Sequence, residues 1–210
     1  MRRQLVVLAR RPVPGRCKRR LAAGVGNRRA ALVQERLCRH ALACGRALAR
    51  LAGGVWLPEI VLAADALGPR AARRWAQRLG ADRGLAQGPG GLGLRMQRQL
   101  QRARREGAQQ VVLIGSDLPT LEPADLIAAF QALERSPLVL GPAADGGYWL
   151  IGVGPQAAPE LPGRLCGGMP WGGSRVLACT VAAARRLGVE PVLLACRADL
   201  DRPEDLRPWR

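Results

Sequence analysis

Gln110-Val-Val-Leu-Ile-Gly-Ser-Asp-Leu-Pro-Thr-Leu121 is the stretch that decides the fold. Val111–Ile114 is a continuous apolar run, as expected of a strand covered on both faces, and we read the strand as Gln110–Ile114. Gly115 to Pro119 then breaks the run, and a helix over Pro123–Leu133 follows. Strand, polar loop and helix in that order form the unit of a parallel sheet covered by helices.

The same alternation extends outward in both directions. On the amino-terminal side, Gln4–Ala9 reads as a buried strand and Arg10–Ala23 as a loop rich in Pro, Gly and Arg. A helix starts near Asn27 and runs to about Leu51. Val55–Ala63 reads as a strand interrupted by Pro58, Pro69–Leu79 as a helix, and the residues near Leu85 as a short strand. Gly88–Gly91 is a loop ahead of a helix over Leu92–Arg105. On the carboxyl side, Leu138–Gly141 and Tyr148–Val153 are strands joined by the Asp145-Gly-Gly147 turn, a strong hairpin signal. Gly173–Leu187 is helical, Val189–Ala195 a strand, and Pro203–Leu206 begins a last short helix. The expectation is one α/β domain over residues 1–210, with a mostly parallel, mixed sheet flanked by helices.

Composition narrows the function classes. Of 33 Lys plus Arg residues only Lys18 is a lysine, and the net charge is +17. The arginines are spread along the chain, often as pairs in helix-like stretches. No basic stretch is interleaved with aromatics, which make up 3% of residues, so no platform for stacking single-stranded bases is visible. Specific nucleic-acid binding is therefore not expected, and anionic small molecules such as nucleotides suit the charge. Six cysteines without a C-x-x-C pair, beside a single histidine, argue against a zinc site. Scattered thiols fit a cytoplasmic protein. Leu5–Ala9 is too short for a signal segment, and no run is long enough to span a membrane.

In parallel sheets, ligands bind beyond the carboxyl ends of the strands. That rule selects Arg10–Leu21, Gly115–Leu121, Gly141–Gly147 and Arg197–Asp205. In the first loop, Pro14-Gly15 can turn the backbone towards an anion, with Arg16, Lys18, Arg19 and Arg20 around it. In the second, Asp117 lies just past the strand end, where a carboxylate can hold Mg²⁺ or Mn²⁺ against phosphate oxygens. In the third, Gly146 and Gly147 allow a close backbone approach, and Asp145 can accept hydrogen bonds from hydroxyls. The fourth clusters Asp199, Asp201, Glu204 and Asp205, of which Glu204 and Asp205 also suit the first turn of a helix. Cys17 and His40 have no visible catalytic partner and read as spectators.

Together these segments stand as Ala9–Leu21, Gly115–Leu121, Gly141–Tyr148, Pro170–Gly173 and Asp199–Leu206. In that order they resemble a bacterial family of GT-A-type, glycosyltransferase-like proteins of the nucleotide-diphospho-sugar transferase superfamily. That family is related to the guanylyltransferases acting on phospholactate and on the molybdenum cofactor. The resemblance covers nearly the whole chain. It implies that Arg16, Lys18 and Arg20 grip a nucleotide diphosphate, with the segment Gly91 to Arg95, including Gly93, bordering the nucleotide. It implies Asp117 as a metal ligand and Asp201 as a second metal contact. Asp145, Gly146, Gly147 and Tyr148 would face the sugar or acceptor, and Trp171 would close the far side. The catalytic set is then Lys18, Asp117 and Asp145. The chain departs from the family pattern at Arg19, Gly91, Ala144, Gly172 and Gly173, the last four each lacking a polar side chain.

The expected activity is metal-dependent transfer from a nucleotide-diphospho-sugar to a small-molecule acceptor. A nucleotidyltransferase joining an NTP to a phosphorylated small molecule, with release of pyrophosphate, is the nearest rival. A non-catalytic nucleotide- or nucleic-acid-binding protein is a rival of another class.

Overall fold

The computed structural model describes residues 1–51 and 57–209. The strands are β1 (Arg3–Arg10), β2 (Glu59–Asp65), β3 (Arg83–Ala86), β4 (Gln110–Gly115), β5 (Leu138–Pro142), β6 (Tyr148–Val153) and β7 (Val192–Leu193). The helices are α1 (Arg19–Val25), α2 (Asn27–Leu51), α3 (Pro69–Leu79), α4 (Leu92–Arg105), α5 (Pro123–Ala132), α6 (Leu161–Cys166) and α7 (Val176–Arg186). A 3-10 helix over Pro203–Trp209 follows.

The strands form one sheet in the order β3-β2-β1-β4-β6-β5-β7. Pairings of β1 with β2 and β4, of β2 with β3, and of β5 with β7 are parallel. Strand β6 runs antiparallel between β4 and β5. The expected mixed, mostly parallel sheet is therefore present. Because β5 returns directly into β6, the hairpin turn lies at the carboxyl edge of the sheet, where β1 and β4 also end.

Alternation along the strands divides the core. Leu5, Val7 and Ala9 pack with Ile60, Leu62 and Ile114 against α2, α3 and α5. Val6 joins Val61, Ala63 and Leu113 against α4, α6 and α7. Successive strand side chains point to opposite faces, so one sheet carries both apolar layers. Among the described residues, no helix is long and apolar enough to cross a membrane. The cysteines are all unbridged.

Several expectations need correction. Arg10–Ala23 is not all loop: α1 begins at Arg19 and buries Leu21 against Ala30, Leu37 and Leu200. The helix α6 was not expected, because Pro162 and Gly163 stand within its six residues. Pro162 occupies its first turn, where proline is tolerated, and burial of Leu161, Leu165 and Cys166 holds it. The strand expected from Val55 starts at Glu59, after Pro58; Val55 and Trp56 lie outside the described residues. The helix expected from Gly173 starts at Val176. The strand expected over Val189–Ala195 shrinks to Val192–Leu193, both exposed at the sheet edge.

Candidate functional site

The carboxyl ends of β1 and β4 and the start of β6 surround a cavity of about 630 Å³. Lys18 forms part of its wall. This residue ends the β1 loop in the left-handed region, at φ 47° and ψ 47°, immediately before α1. That conformation turns its stem inward, and the side chain is only 2% exposed. The ammonium donates to the Leu200 carbonyl at 2.5 Å. It lies 3.0 Å from Asp117 Oδ1 and 3.6 Å from Asp201 Oδ1. Arg20 approaches the other oxygen, Asp201 Oδ2, at 3.2 Å. The two carboxylates expected to take a metal are thus bridged by the lysine expected to take a phosphate. Arginine could not replace it on equal terms, because a compact ammonium fits between two carboxylates and a carbonyl where a planar fork does not.

Asp117 is positioned from behind. Gln34 of α2, buried, donates from Nε2 to Ser116 Oγ at 3.0 Å. The Ser116 hydroxyl reaches towards Asp117 Oδ1 at 3.4 Å. The Leu200 N–H donates to the Asp117 carbonyl at 2.9 Å. His40 joins the same loop to α2 through a contact of 2.9 Å between Nε2 and the Leu121 carbonyl.

Asp199 completes the acidic group. Its Oδ1 is buried and has no hydrogen-bond partner. Burial, then the charges of Asp117 and Asp145, push its carboxyl up to about 6, with Lys18 opposing. Among the described residues no three His, Cys, Asp or Glu side chains converge on one metal position. Magnesium-type sites, however, commonly use one or two carboxylates and complete their shell with water and substrate phosphate. Asp117 and the unpartnered oxygen of Asp199 fit that donor set. Both oxygens of Asp201 already face cations, which suits it better to holding Lys18 and Arg20.

The other half of the cavity joins Arg95 to Asp65, Arg10 and Gln87, which the sequence reading did not single out. Asp65, at the end of β2, is the register partner of Arg10 on β1. Its carboxylate accepts from Arg10 Nε at 3.0 Å and from Arg95 Nη1 at 2.5 Å. Arg95 also donates to the Gly90 carbonyl at 2.7 Å, so its guanidinium braces the Gly88–Gly91 loop. Gln87 donates from Nε2 to the Ala63 carbonyl at 2.9 Å. The strand-end rule, applied to the loop after the second strand, would have found Asp65.

The expected site residues divide clearly. Lys18, Arg20, Asp117, Asp201, Gly91, Arg95 and Tyr148 line the cavity. Pro14, Gly15 and Arg16 do not: they form an exposed turn closed by the Arg16 N–H on the Val13 carbonyl at 3.0 Å. Gly93 lies behind the wall, where a Cβ would come within 2.3 Å of the Cys166 carbonyl and of Trp171 Nε1. Asp145 is exposed and accepts from the Gly147 N–H at 2.9 Å, which shapes the hairpin turn. Gly146 and Gly147 belong to that turn. Trp171 meets the Tyr148 ring edge-on, at 6.0 Å and 74°, and so supports the cavity wall from behind. Cys17 is buried and its thiol is raised by that burial, the opposite of an activated nucleophile.

The fold, with this site at the carboxyl edge of the sheet, is that of the nucleotide-diphospho-sugar transferases. A protein from Desulfovibrio desulfuricans G20, provisionally described as a nucleotide-diphospho-sugar transferase, superposes with a TM-score of 0.82 at 30% identity, covering 98% of this chain and 85% of its own. CMP:2-keto-3-deoxy-manno-octonic acid synthetase complexed with CTP superposes with a TM-score of 0.62 at 14% identity, covering 100% and 97%. Glucosyl-3-phosphoglycerate synthase from Mycobacterium tuberculosis, in complex with Mn²⁺, UDP and glucosyl-3-phosphoglycerate, gives 0.55 at 16%, covering 97% and 74%. The last two likenesses concern the fold alone. No curated protein matches the chain. The chain belongs to the family described as uncharacterized protein conserved in bacteria (DUF2064), which matches residues 48–173.

Proposed function

We propose that the protein is a transferase that takes a nucleotide-diphospho-sugar into the main cavity and moves the sugar to a small acceptor. The observation that carries this reading is the Lys18 ammonium held between Asp117 and Asp201 on the cavity wall. A cavity of about 630 Å³ is of the size that encloses a small ligand. The relative described as a nucleotide-diphospho-sugar transferase supports the donor class.

In this reading the bond between the anomeric carbon and the diphosphate breaks, and the diphosphate leaves with the electron pair. An acceptor oxygen forms the new bond and releases its proton to a carboxylate or to water. Lys18 and Arg20 lie where they can offset the growing charge on the leaving diphosphate, which lowers the barrier most when the donors are already in place. A Mg²⁺ or Mn²⁺ ion on Asp117, with Asp199 as second ligand, would supply further charge neutralisation there. Asp145, on the hairpin turn, positions the acceptor or sugar from the rim.

The donor decides between this reading and nucleotidyl transfer. The test is a thermal-shift panel of UDP-, GDP-, ADP- and dTDP-sugars beside the free NTPs, with and without Mn²⁺. A ligand at ~100 times its Kd adds ~2.7 kcal/mol of stability. A Mn²⁺-dependent rise with one diphospho-sugar, lost in Asp117→Asn, is the expected result. A rise with an NTP alone replaces the reading with nucleotidyl transfer, and no rise with any of them leaves the fold standing and the transferase reading without support.

A further inference from the structure

Arg10 and Arg11 leave β1 towards opposite faces of the sheet. The alternation that places Val6 on the α4 side and Val7 and Ala9 on the α3 side continues past the strand end. Arg10 reaches the main cavity and pairs with Asp65. Arg11 lines a second cavity, of about 410 Å³, against α3. Strand β2 ends at Asp65, which lines the first cavity; Ala66 then takes a positive φ of 55°, and Leu67 beyond it lines the second.

The second cavity has an apolar floor and a cationic rim. Leu67 and the almost fully buried Trp75 form the floor. Arg74 and Arg78, four residues apart on one face of α3, join Arg11 on the rim. No carboxylate lines this cavity. Among the described residues, none of these three guanidinium groups has an ion pair or a side-chain hydrogen bond. At the main cavity, by comparison, Arg10 and Arg95 hold Asp65 and Arg20 holds Asp201. Three like charges around one concavity repel one another, and a bound anion removes that repulsion.

We propose that this cavity binds the phosphate group of a small molecule. The phosphate oxygens accept hydrogen bonds from Arg11, Arg74 and Arg78, whose planar forks match phosphate geometry. Any compact apolar body of the ligand lies over Leu67 and the edge of Trp75. This site is separate from the transferase cavity and stands whether or not the proposed reaction is correct.

The test is calorimetric titration of inorganic pyrophosphate, inorganic phosphate and phenyl phosphate into the full chain in metal-free buffer. Two double variants are compared with the parent. Arg74→Ala/Arg78→Ala removes two rim groups. Arg70→Ala/Arg73→Ala removes the same charge from exposed positions on the same helix that do not line the cavity. All four arginines are exposed, so thermal unfolding confirms that both variants keep the fold. The expected result is a site weakened about tenfold or more in the first variant, equivalent to ~1.4 kcal/mol, and unchanged within about twofold in the second. Phenyl phosphate binding ahead of inorganic phosphate identifies a phosphomonoester with an apolar body, and the reverse order identifies free phosphate or pyrophosphate. Equal weakening in both variants means diffuse attraction to a basic surface and overturns the proposal. So does binding that Arg74→Ala/Arg78→Ala leaves intact.

Discussion

The Lys18 ammonium lies 3.0 Å from Asp117 Oδ1, and the backbone adopts a left-handed conformation to place it there. Lys18→Ala leaves Asp117 and Asp201 facing each other without their shared cation. Both carboxylates are almost half exposed, so water screens part of the loss. The expected cost is about 1–3 kcal/mol, smaller than for a fully buried pair. Lys18→Gly should recover about 1 kcal/mol of that, because glycine adopts φ 47° without steric penalty. Urea unfolding of the two variants measures the difference. Equal stability of Lys18→Ala and Lys18→Gly would remove the backbone from this account.

Asp199 sets a pH dependence. Its folded value, about 6, exceeds the ordinary aspartate value of 3.8, so the folded protein holds this proton more tightly than the unfolded chain does. The stability it contributes is fully present below pH ~4, falls as pH rises, and is gone above pH ~6. Asp199→Asn mimics the protonated form. In metal-free buffer the variant should be the more stable protein at pH 7, by on the order of 1–2 kcal/mol. Its advantage should vanish near pH 4. An advantage that is flat from pH 4 to 7 would show that Asp199 titrates at an ordinary value.

Asp65 ties three elements of the cavity together. Replacing it with Ala releases Arg10 and Arg95 and leaves the Gly88–Gly91 loop without its brace. The expected cost is about 2 kcal/mol, with faster amide exchange confined to residues 88–91. Unchanged exchange there would mean that the bond from Arg95 to the Gly90 carbonyl is enough to hold the loop.

Gly93 fixes how closely α4 approaches α6. An added Cβ meets the Cys166 carbonyl and the Trp171 indole at 2.3 Å. Gly93→Ala should therefore destabilise by about 1–3 kcal/mol, despite alanine's better helix propensity. It should also shift Trp171 and, through their edge contact, Tyr148 on the cavity wall. Denaturation and near-ultraviolet dichroism read the two effects separately.

Much of this architecture was legible from the chain. Gln110–Ile114 had only one reading as a buried strand, α2 and α4 followed their apolar periodicity, and Asp145-Gly-Gly147 marked the one hairpin that makes the sheet mixed. Lys18, Asp117 and Asp201 were found because strand-end loops can be read without knowing the strand order. Asp65 also stands at a strand end, within reach of the same rule, but its pairing with Arg10 depends on that order. Its meaning comes from lying opposite Arg10 across the β1–β2 pairing, and nothing in its own neighbourhood announces that. The helices α1 and α6 escaped because seven- and six-residue helices have little intrinsic stability; packing of Leu21 and Leu165 makes them. Pro14, Gly15 and Arg16 carried the right chemistry, but the turn at Val13–Arg16 keeps them outside the cavity.

The bond from Lys18 to the Leu200 carbonyl joins residues 182 positions apart in the chain. A chain emerging from the ribosome therefore presents its lysine long before the segment that positions it. Until Leu200 and Asp201 arrive, the ammonium has no carbonyl to hold it and Asp117 lacks its neighbouring strap. The arrangement at this site therefore depends on the Leu200–Asp201 segment, and a chain cut before Leu200 lacks both the carbonyl and the second carboxylate that hold Lys18.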